Sequence, residues 1–170
     1  MSLSLPSSQP AHIPAMTPHP VHRRKKLIEV SIPLLPVNEE AQRRKQKAPK
    51  GWPTSFHKWW AQKPLSKART VLFAQLVDDP SDLQELFPSE HEQDKERERL
   101  FALMLRLCMW DNTHNSAVIS EARNEIKACW KRFCDGNLHA NLPAEARNPL
   151  TMPPFLDPFS GSGSIPLSAQ

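Results

Sequence analysis

The hydrophobic positions of the 170-residue chain predict three consecutive helices in its middle. The first begins at Pro64, whose fixed φ suits a first helical turn, and ends at Asp78-Asp79-Pro80. The second covers residues 94–110 and is apolar almost all round in its C-terminal half, so we expect it to be buried. The third covers residues 116–134 and ends at Asp135-Gly136-Asn137. One stripe along this third helix holds its apolar side chains, Val118, Ala122, Ile126, Cys129 and Phe133.

The N-terminal part of the chain is less regular. Residues 1–22 contain five prolines and show no periodicity, which predicts a disordered tail. The apolar side chains of residues 27–32 predict a short extended segment, which Pro33 and Pro36 keep out of the middle of a sheet. Asn38 is predicted to cap a short basic helix.

The last twenty residues (TMPPFLDPFSGSGSIPLSAQ) have a different pattern. Phe155-Leu156-Asp157 predicts the end of a short buried strand, and a helix is expected to start near Ser164. Two of the four glycines of the chain, Gly161 and Gly163, stand between them. A strand, a glycine-rich turn and a helix form the nucleotide-type cofactor site of open α/β sheets, although a plain surface turn is the alternative. The pattern therefore divides the chain into a tail (1–22), a helical domain (23–150) and the start of a second domain (151–170).

Charge changes sign along the chain. Residues 51–76 contain four basic and no acidic side chains, whereas residues 77–100 contain nine acidic and three basic ones. A basic first half is compatible with nucleic-acid contact, and solvated charged faces are the alternative. The candidate contacts are Lys58, Lys63, Lys67 and Arg69.

The composition bears on the cellular compartment of the protein and on whether it binds a metal. No apolar run approaches the length of a membrane span, and the N-terminus lacks the apolar core of a signal peptide. Three cysteines without framework spacing indicate a reducing compartment, so we expect a cytoplasmic protein. Cys129, Cys134 and His139 lack metal-site spacing, and we predict no metal in this chain.

The run from Asp157 to Gly163 (DPFSGSG) resembles motif I of the S-adenosylmethionine-dependent amino-methyltransferases that modify exocyclic nitrogens of DNA bases. In that family the loop lines the methionine and ribose portions of the cofactor. The resemblance implies S-adenosylmethionine as cofactor and DNA as partner. It also implies a cofactor site formed by Asp157, Phe159, Ser160, Gly161, Ser162 and Gly163.

Residues 25–170 also resemble the N-terminal part of the bacterial and archaeal adenine-specific DNA methylases described as containing a zinc ribbon. The resemblance is carried, in order, by LIEVSIPL, FHKWWAQKPLSKARTVLFAQLVDDP, ERERLF and LDPFSGSGSIPLSAQ, with Lys63 where an arginine is commoner. It implies a parent with a Rossmann-like α/β methyltransferase fold that methylates adenine N6. Of that fold, this mainly helical chain would contain only the first strand and the cofactor loop. Some members are encoded beside anti-phage defence genes, so other defence-system subunits are candidate partners.

The catalytic motif of these enzymes, [DNS]-P-P-[YFW], does not occur in this sequence. An acidic residue about 20 positions after the glycine loop, expected at the ribose, also has no counterpart before Gln170. We therefore expect an N-terminal fragment of a DNA methyltransferase that is inactive alone and holds no catalytic residue. The alternative is a non-enzymatic helical module that binds nucleic acid or a partner subunit.

Residues 55–64 (SFHKWWAQKP) allow three interpretations. In many amino-methyltransferases a polar-aromatic loop before motif I closes over the methionine end of the cofactor, which would bring His57, Trp59 or Trp60 near it. The two tryptophans could instead be core residues that hold the helices together. An aromatic-basic cluster could also contact nucleic acid.

Overall fold

The structure is a computed structural model that describes residues 20–46, 63–138, 140, 143 and 148–169, with the side chains of 44–46 left aside. These ranges contain six α-helices and no strand ladder. The helices are α1 (Leu27–Val30), α2 (Leu34–Gln46), α3 (Leu65–Leu76), α4 (Glu90–Cys108), α5 (Ser116–Gly136) and α6 (Ser164–Ala169). Single 3₁₀ turns occupy Pro80–Asp82 and Trp110–Asn112. The prediction of a mainly helical chain is confirmed for the described residues.

Helix α3 is the central element and contacts each of the other five helices. It starts directly after Pro64, as predicted, but its buried side chains are not confined to one stripe. Val71 is exposed, whereas Phe73 and Ala74 are buried. Because a central helix has neighbours on several sides, its burial does not follow one amphipathic face. Small buried side chains, namely Ser66, Ala68, Thr70 and Ala74, allow these neighbours to approach closely.

Helix α4 begins at Glu90, four residues earlier than predicted. The cause is a capping box: the Ser89 hydroxyl accepts from the N–H of Glu92 (3.2 Å), and the Glu92 carboxylate accepts from the N–H of Ser89 (3.1 Å). Its C-terminal half is buried, as the apolar pattern predicted. Helix α5 extends two residues beyond its predicted end and buries Val118, Ala122, Ile126 and Cys129 along the predicted stripe.

The hydrophobic core lies where α3, α4, α5 and the α1 turn meet. Phe73, Leu103 and Leu27 are among its largest fully buried side chains. No helix of the described residues is long and apolar enough to cross a membrane.

The predictions for residues 27–38 were wrong. Residues 27–30 form the α1 turn, and extended pairing is limited to one antiparallel bridge between Lys26 and Asp78. Helix α2 begins at Leu34, so Asn38 lies inside it and is not its cap. Pro36 is compatible with this start because the first turn of a helix needs no N–H for an intrahelical bond.

The predicted strand at Phe155-Leu156-Asp157 does not form in this chain. These three residues have no strand pairing, and a strand is stable only when a neighbour takes up its N–H and C=O groups. At the other end, residues 1–19 of the predicted tail lie outside the described residues. His22 is held against the helices: its N–H donates to the side-chain oxygen of Asn137 (2.7 Å), and its carbonyl accepts from the Asn137 amide (2.8 Å).

Candidate functional site

The glycine-rich loop is a tight turn that leads into α6. The Asp157 carboxylate accepts from the N–H of Phe159 (3.1 Å), and the carbonyl of Ser160 accepts from the N–H of Gly163 (2.8 Å). Gly161 and Gly163 have φ values of +56° and +75°. Side chains are disfavoured in this left-handed region, so the loop conformation explains why glycine occupies both positions.

The space above both glycines is open. A Cβ atom would meet nothing within 4 Å at Gly163, and at Gly161 only the carbonyl of Phe159, at 4.0 Å. The glycines are therefore required by their backbone conformation, and the backbone on this side is accessible to a ligand.

Two further features of the loop are unusual for a folded protein: a buried acceptor that the described residues leave without a hydrogen bond, and large apolar side chains that they leave without a covering surface. The Oδ2 atom of Asp157 is buried but has no hydrogen-bond partner among the described residues. The ring of Phe159 is 91% exposed, and the neighbouring Leu156 is 87% exposed. Buried acceptors and large apolar side chains are ordinarily paired or covered in folded proteins.

The glycine loop is held beside the start of α3 by a hydrogen bond and by helix packing. The Ser164 hydroxyl donates to the carbonyl of Lys63 (2.8 Å) across 101 residues of sequence, and α6 packs on α3. Lys63 is the penultimate residue of the 55–64 segment, so the end of this segment lies beside the glycine loop. His57, Lys58, Trp59 and Trp60 lie outside the described residues.

The predicted nucleic-acid contacts that the structure describes are Lys63, which precedes α3, and Lys67 and Arg69, which lie on it. Lys63 is exposed near the glycine loop, and Lys67 is half-buried one turn further along. Arg69 is directed elsewhere, into a small cavity that is also bordered by α2, α4 and the Trp110–Asn112 turn. Burial lowers the pKa of Arg69 below its ordinary value.

Sequence reasoning treated Asp78-Asp79-Pro80 only as a helix stop and missed its main role. Asp78 accepts from Lys26 Nζ (2.6 Å) and Arg132 Nε (3.3 Å), and its carboxylate is 2% exposed. Asp79, fully buried, binds the Arg97 guanidinium through both oxygens (3.0 and 3.1 Å). The two carboxylates therefore connect α3 to the N-terminal segment, α4 and α5. The only sequence signal for these ion pairs is the alternation of acidic and basic side chains, as in residues 96–99 (ERER).

Burial alone would raise the pKa of Asp79. Hydrogen bonds from Arg97 and Ser81 outweigh that effect and hold its pKa below the ordinary value. The Ser81 hydroxyl donates to Asp79 at 2.5 Å, and the Ser81 N–H donates at 2.9 Å. These contacts are structural, because Asp79 is fully buried.

The three cysteines are buried thiols rather than ligands or nucleophiles. Burial raises the pKa of Cys108 and Cys134, and it raises the pKa of Cys129 to about 11. Thiols of this kind stay protonated at neutral pH and pack as small apolar side chains. The described residues contain no cluster of His, Cys, Asp or Glu that could hold a metal ion, and His139 lies outside them.

Comparison with known proteins gives one result. Residues 31–103 match a protein family described as a protein of unknown function (DUF1156), over less than half of the chain. The match includes α2, α3, the Asp78-Asp79 segment and most of α4, and it ends before the glycine loop. No curated protein and no solved structure matches the sequence.

Proposed function

We propose that this chain supplies the cofactor-binding loop and the preceding helical domain of an S-adenosylmethionine-dependent DNA amino-methyltransferase. The observation that carries the proposal is the loop from Asp157 to Gly163, which has the residues of motif I and two glycines in left-handed conformations with open space above them. The choice of adenine N6 as the methylated atom rests on the sequence resemblance.

The loop residues fit the chemistry of the methionine end of this cofactor, which has an ammonium and a carboxylate group. The unpartnered Oδ2 of Asp157 is an acceptor for the ammonium group. The backbone N–H of Gly161, in the exposed part of the turn, suits the carboxylate. Bound S-adenosylmethionine would supply the methyl group, while the chain's own part is to position it and to exclude water around Phe159.

The 55–64 segment is proposed as the second wall of this site. Its support is the hydrogen bond between Lys63 and Ser164, which fixes the end of the segment beside the glycine loop. The polar and aromatic side chains that would face the cofactor are His57, Trp59 and Trp60.

The methyl transfer itself requires residues that this sequence does not contain, since [DNS]-P-P-[YFW] is absent from it. The apolar side chains around the loop support a larger catalytic domain that would cover them. Leu150, Phe155, Leu156, Phe159 and Leu167 are all between 45% and 91% exposed. By this proposal, the chain alone binds the cofactor but does not methylate DNA.

Isothermal titration calorimetry with S-adenosylmethionine tests the proposal. Gly161→Ala and Gly163→Ala force a side chain into the left-handed region, and we expect each to weaken binding about 5- to 30-fold, from about 1–2 kcal/mol of strain. Gly136→Ala is the matched control, because Gly136 ends α5 with no atom within 4 Å of the added Cβ. Absence of binding to the wild-type chain and to a longer protein that contains it would refute the cofactor assignment.

A second test addresses the 55–64 segment. Trp59→Ala or Trp60→Ala should weaken S-adenosylmethionine binding in the full-length enzyme by more than it lowers the free energy of unfolding. A core role for the tryptophans predicts the reverse, with a large loss of stability. Equal losses in both measurements would contradict the proposed wall.

A non-enzymatic nucleic-acid-binding module is the second candidate. The observation in its favour is that residues 41–77 contain nine basic and no acidic side chains. Tight DNA binding by a chain that shows no affinity for S-adenosylmethionine would favour this function.

A further inference from the structure

We propose that the small cavity between α2, α3 and the Trp110–Asn112 turn is a phosphate-binding notch, in which Arg69 and Ser66 hold one oxygen of a phosphate group. The proposal concerns a face of α3 separate from the glycine loop and does not depend on the cofactor assignment. Glu40, Ser66, Arg69, Cys108, Trp110 and Thr113 line the cavity.

Both proposed ligands come from one face of α3, since Ser66 and Arg69 are three positions apart on the helix. The Ser66 side chain is nearly fully buried, with 6% of the residue exposed, and among the described residues its hydroxyl has only the weakly hydrogen-bonding Cys108 thiol beside it. A buried hydroxyl without a strong partner costs free energy unless something outside the protein satisfies it. The hydroxyl therefore indicates that a polar group enters the cavity.

The surroundings of Arg69 indicate that the polar group entering the cavity is negatively charged. Its guanidinium has five donors but makes only one hydrogen bond, a long one to the carbonyl of Thr113 (3.4 Å). No carboxylate pairs with it among the described residues. Residues 41–77 contain no Asp or Glu either, so the surrounding sequence brings none. A partly buried cation without a protein counter-charge favours an anionic ligand.

Glu40 is the one acidic group on the cavity wall, and its negative charge is already engaged. Its carboxylate is paired with the Arg43 guanidinium, and its other oxygen accepts from the backbone N–H of Trp110 (3.4 Å). Glu40 therefore reduces the affinity for an anion without blocking the cavity.

The size of the cavity selects an oxyanion that inserts a single atom. Its volume of about 10 Å³ holds one sphere of water size. One non-bridging phosphate oxygen fits, while the rest of the phosphate stays at the mouth of the cavity. A free phosphate compound or the backbone of a nucleic acid could present such an oxygen.

The test measures the affinity of the chain for inorganic phosphate by calorimetry at constant ionic strength. Arg69→Gln should weaken binding at least about tenfold, because it removes charged hydrogen bonds. Ser66→Ala should weaken it about threefold without loss of thermal stability, since the lost hydroxyl had no strong partner. Glu40→Gln should tighten binding, and this opposite sign separates a local charge effect from misfolding. Arg123→Gln removes the same charge from the exposed face of α5 and should change nothing.

A second arm uses a double-stranded DNA oligonucleotide in place of inorganic phosphate. Arg69→Gln is compared in both arms: if it weakens DNA binding as much as it weakens phosphate binding, and also makes DNA binding less dependent on salt, the proposal is supported. The source of the phosphate is then a nucleic-acid backbone. Sensitivity of phosphate binding alone supports it with a free phosphate compound. If the wild-type chain does not bind phosphate, or if Arg69→Gln and Ser66→Ala bind it as well as wild type does, the notch holds only water and the proposal is wrong.

Discussion

Asp79 is a fully buried carboxylate whose two oxygens are both occupied by one guanidinium, that of Arg97. Such a pair is costly to desolvate, and the larger cost arises when only one partner is removed, because the other charge is then left unpaired. The sequence pattern placed a turn at Asp78-Asp79-Pro80 correctly. It could not identify the partners, since Arg97 is 18 positions away and Arg132 more than 50. Local pattern carries no information about pairing over such distances.

Two substitutions that remove a partner of the same arginine measure this effect. Asp79→Asn should lower the free energy of unfolding by about 3 kcal/mol, because it leaves Arg97 with a neutral partner in a buried position. Asp94→Asn should cost less than about 1 kcal/mol, because Asp94 binds Arg97 from a side chain that is 68% exposed. Urea denaturation of both variants checks the difference, and equal costs would contradict the structural role of Asp79.

The same pair makes an acid-dependent contribution to stability. The pKa of Asp79 is lower in the folded chain than its ordinary value of 3.8, so the ionised carboxylate favours the folded state. Its contribution is complete above that ordinary value and is lost as the pH falls through the folded pKa. Denaturation from pH 7 to 3 should therefore show a constant difference between wild type and Asp79→Asn down to about pH 5, and a shrinking one below pH 4.

At the scale of elements, the sequence predicted α3, α4 and α5 because each has a long periodic pattern or a clear stop. It failed at α1, where the apolar side chains of residues 27–32 predicted an extended segment beside Pro33 and Pro36, and it set the start of α2 too late, at Asn38. Both prolines are in fact compatible with the helix start at Leu34. Only contacts distant in sequence decide between these alternatives: Leu27 donates its N–H to the carbonyl of Val77 (3.0 Å), and this fixes the α1 turn against the end of α3. The turn at Gly161 and Gly163 and the helix start at Ser164 could be predicted for the opposite reason, since the residues that determine them are consecutive in sequence.

The start of α5 depends on Asn115, whose side-chain oxygen accepts from the N–H groups of Ala117 (3.2 Å) and Val118 (3.4 Å). Asn115→Ala removes this cap and should lower the free energy of unfolding by about 1 kcal/mol. Asn124→Ala is the matched control on the exposed face of the same helix, where alanine is the better helix former and stability should rise slightly. Thermal melts followed by circular dichroism compare the two variants, and a neutral Asn115→Ala would show that the cap is not needed.

At the scale of the whole molecule, the described residues form a helical core with an uncovered apolar end. The buried core around α3 is formed by side chains of α1, α3, α4 and α5, whereas the segment from Leu150 to Leu167 exposes five large apolar side chains. The difference separates this buried core from a segment whose packing is proposed to come from a catalytic domain. In this proposal, the two parts meet where α6 rests on α3.

Phe73 and Phe159 allow this division to be tested with one kind of substitution. Phe73 is 2% exposed and Phe159 is 91% exposed. In the 170-residue chain, Phe73→Ala should lower the free energy of unfolding by about 3–5 kcal/mol, whereas Phe159→Ala should leave it unchanged and reduce binding of a dye that reports exposed apolar surface. In a longer protein that includes the proposed catalytic domain, Phe159→Ala should become destabilising by about 1–3 kcal/mol, because its ring is then covered. If Phe159→Ala stays neutral there, the apolar end is not an internal packing surface, and the link between the glycine loop and a following domain fails with it.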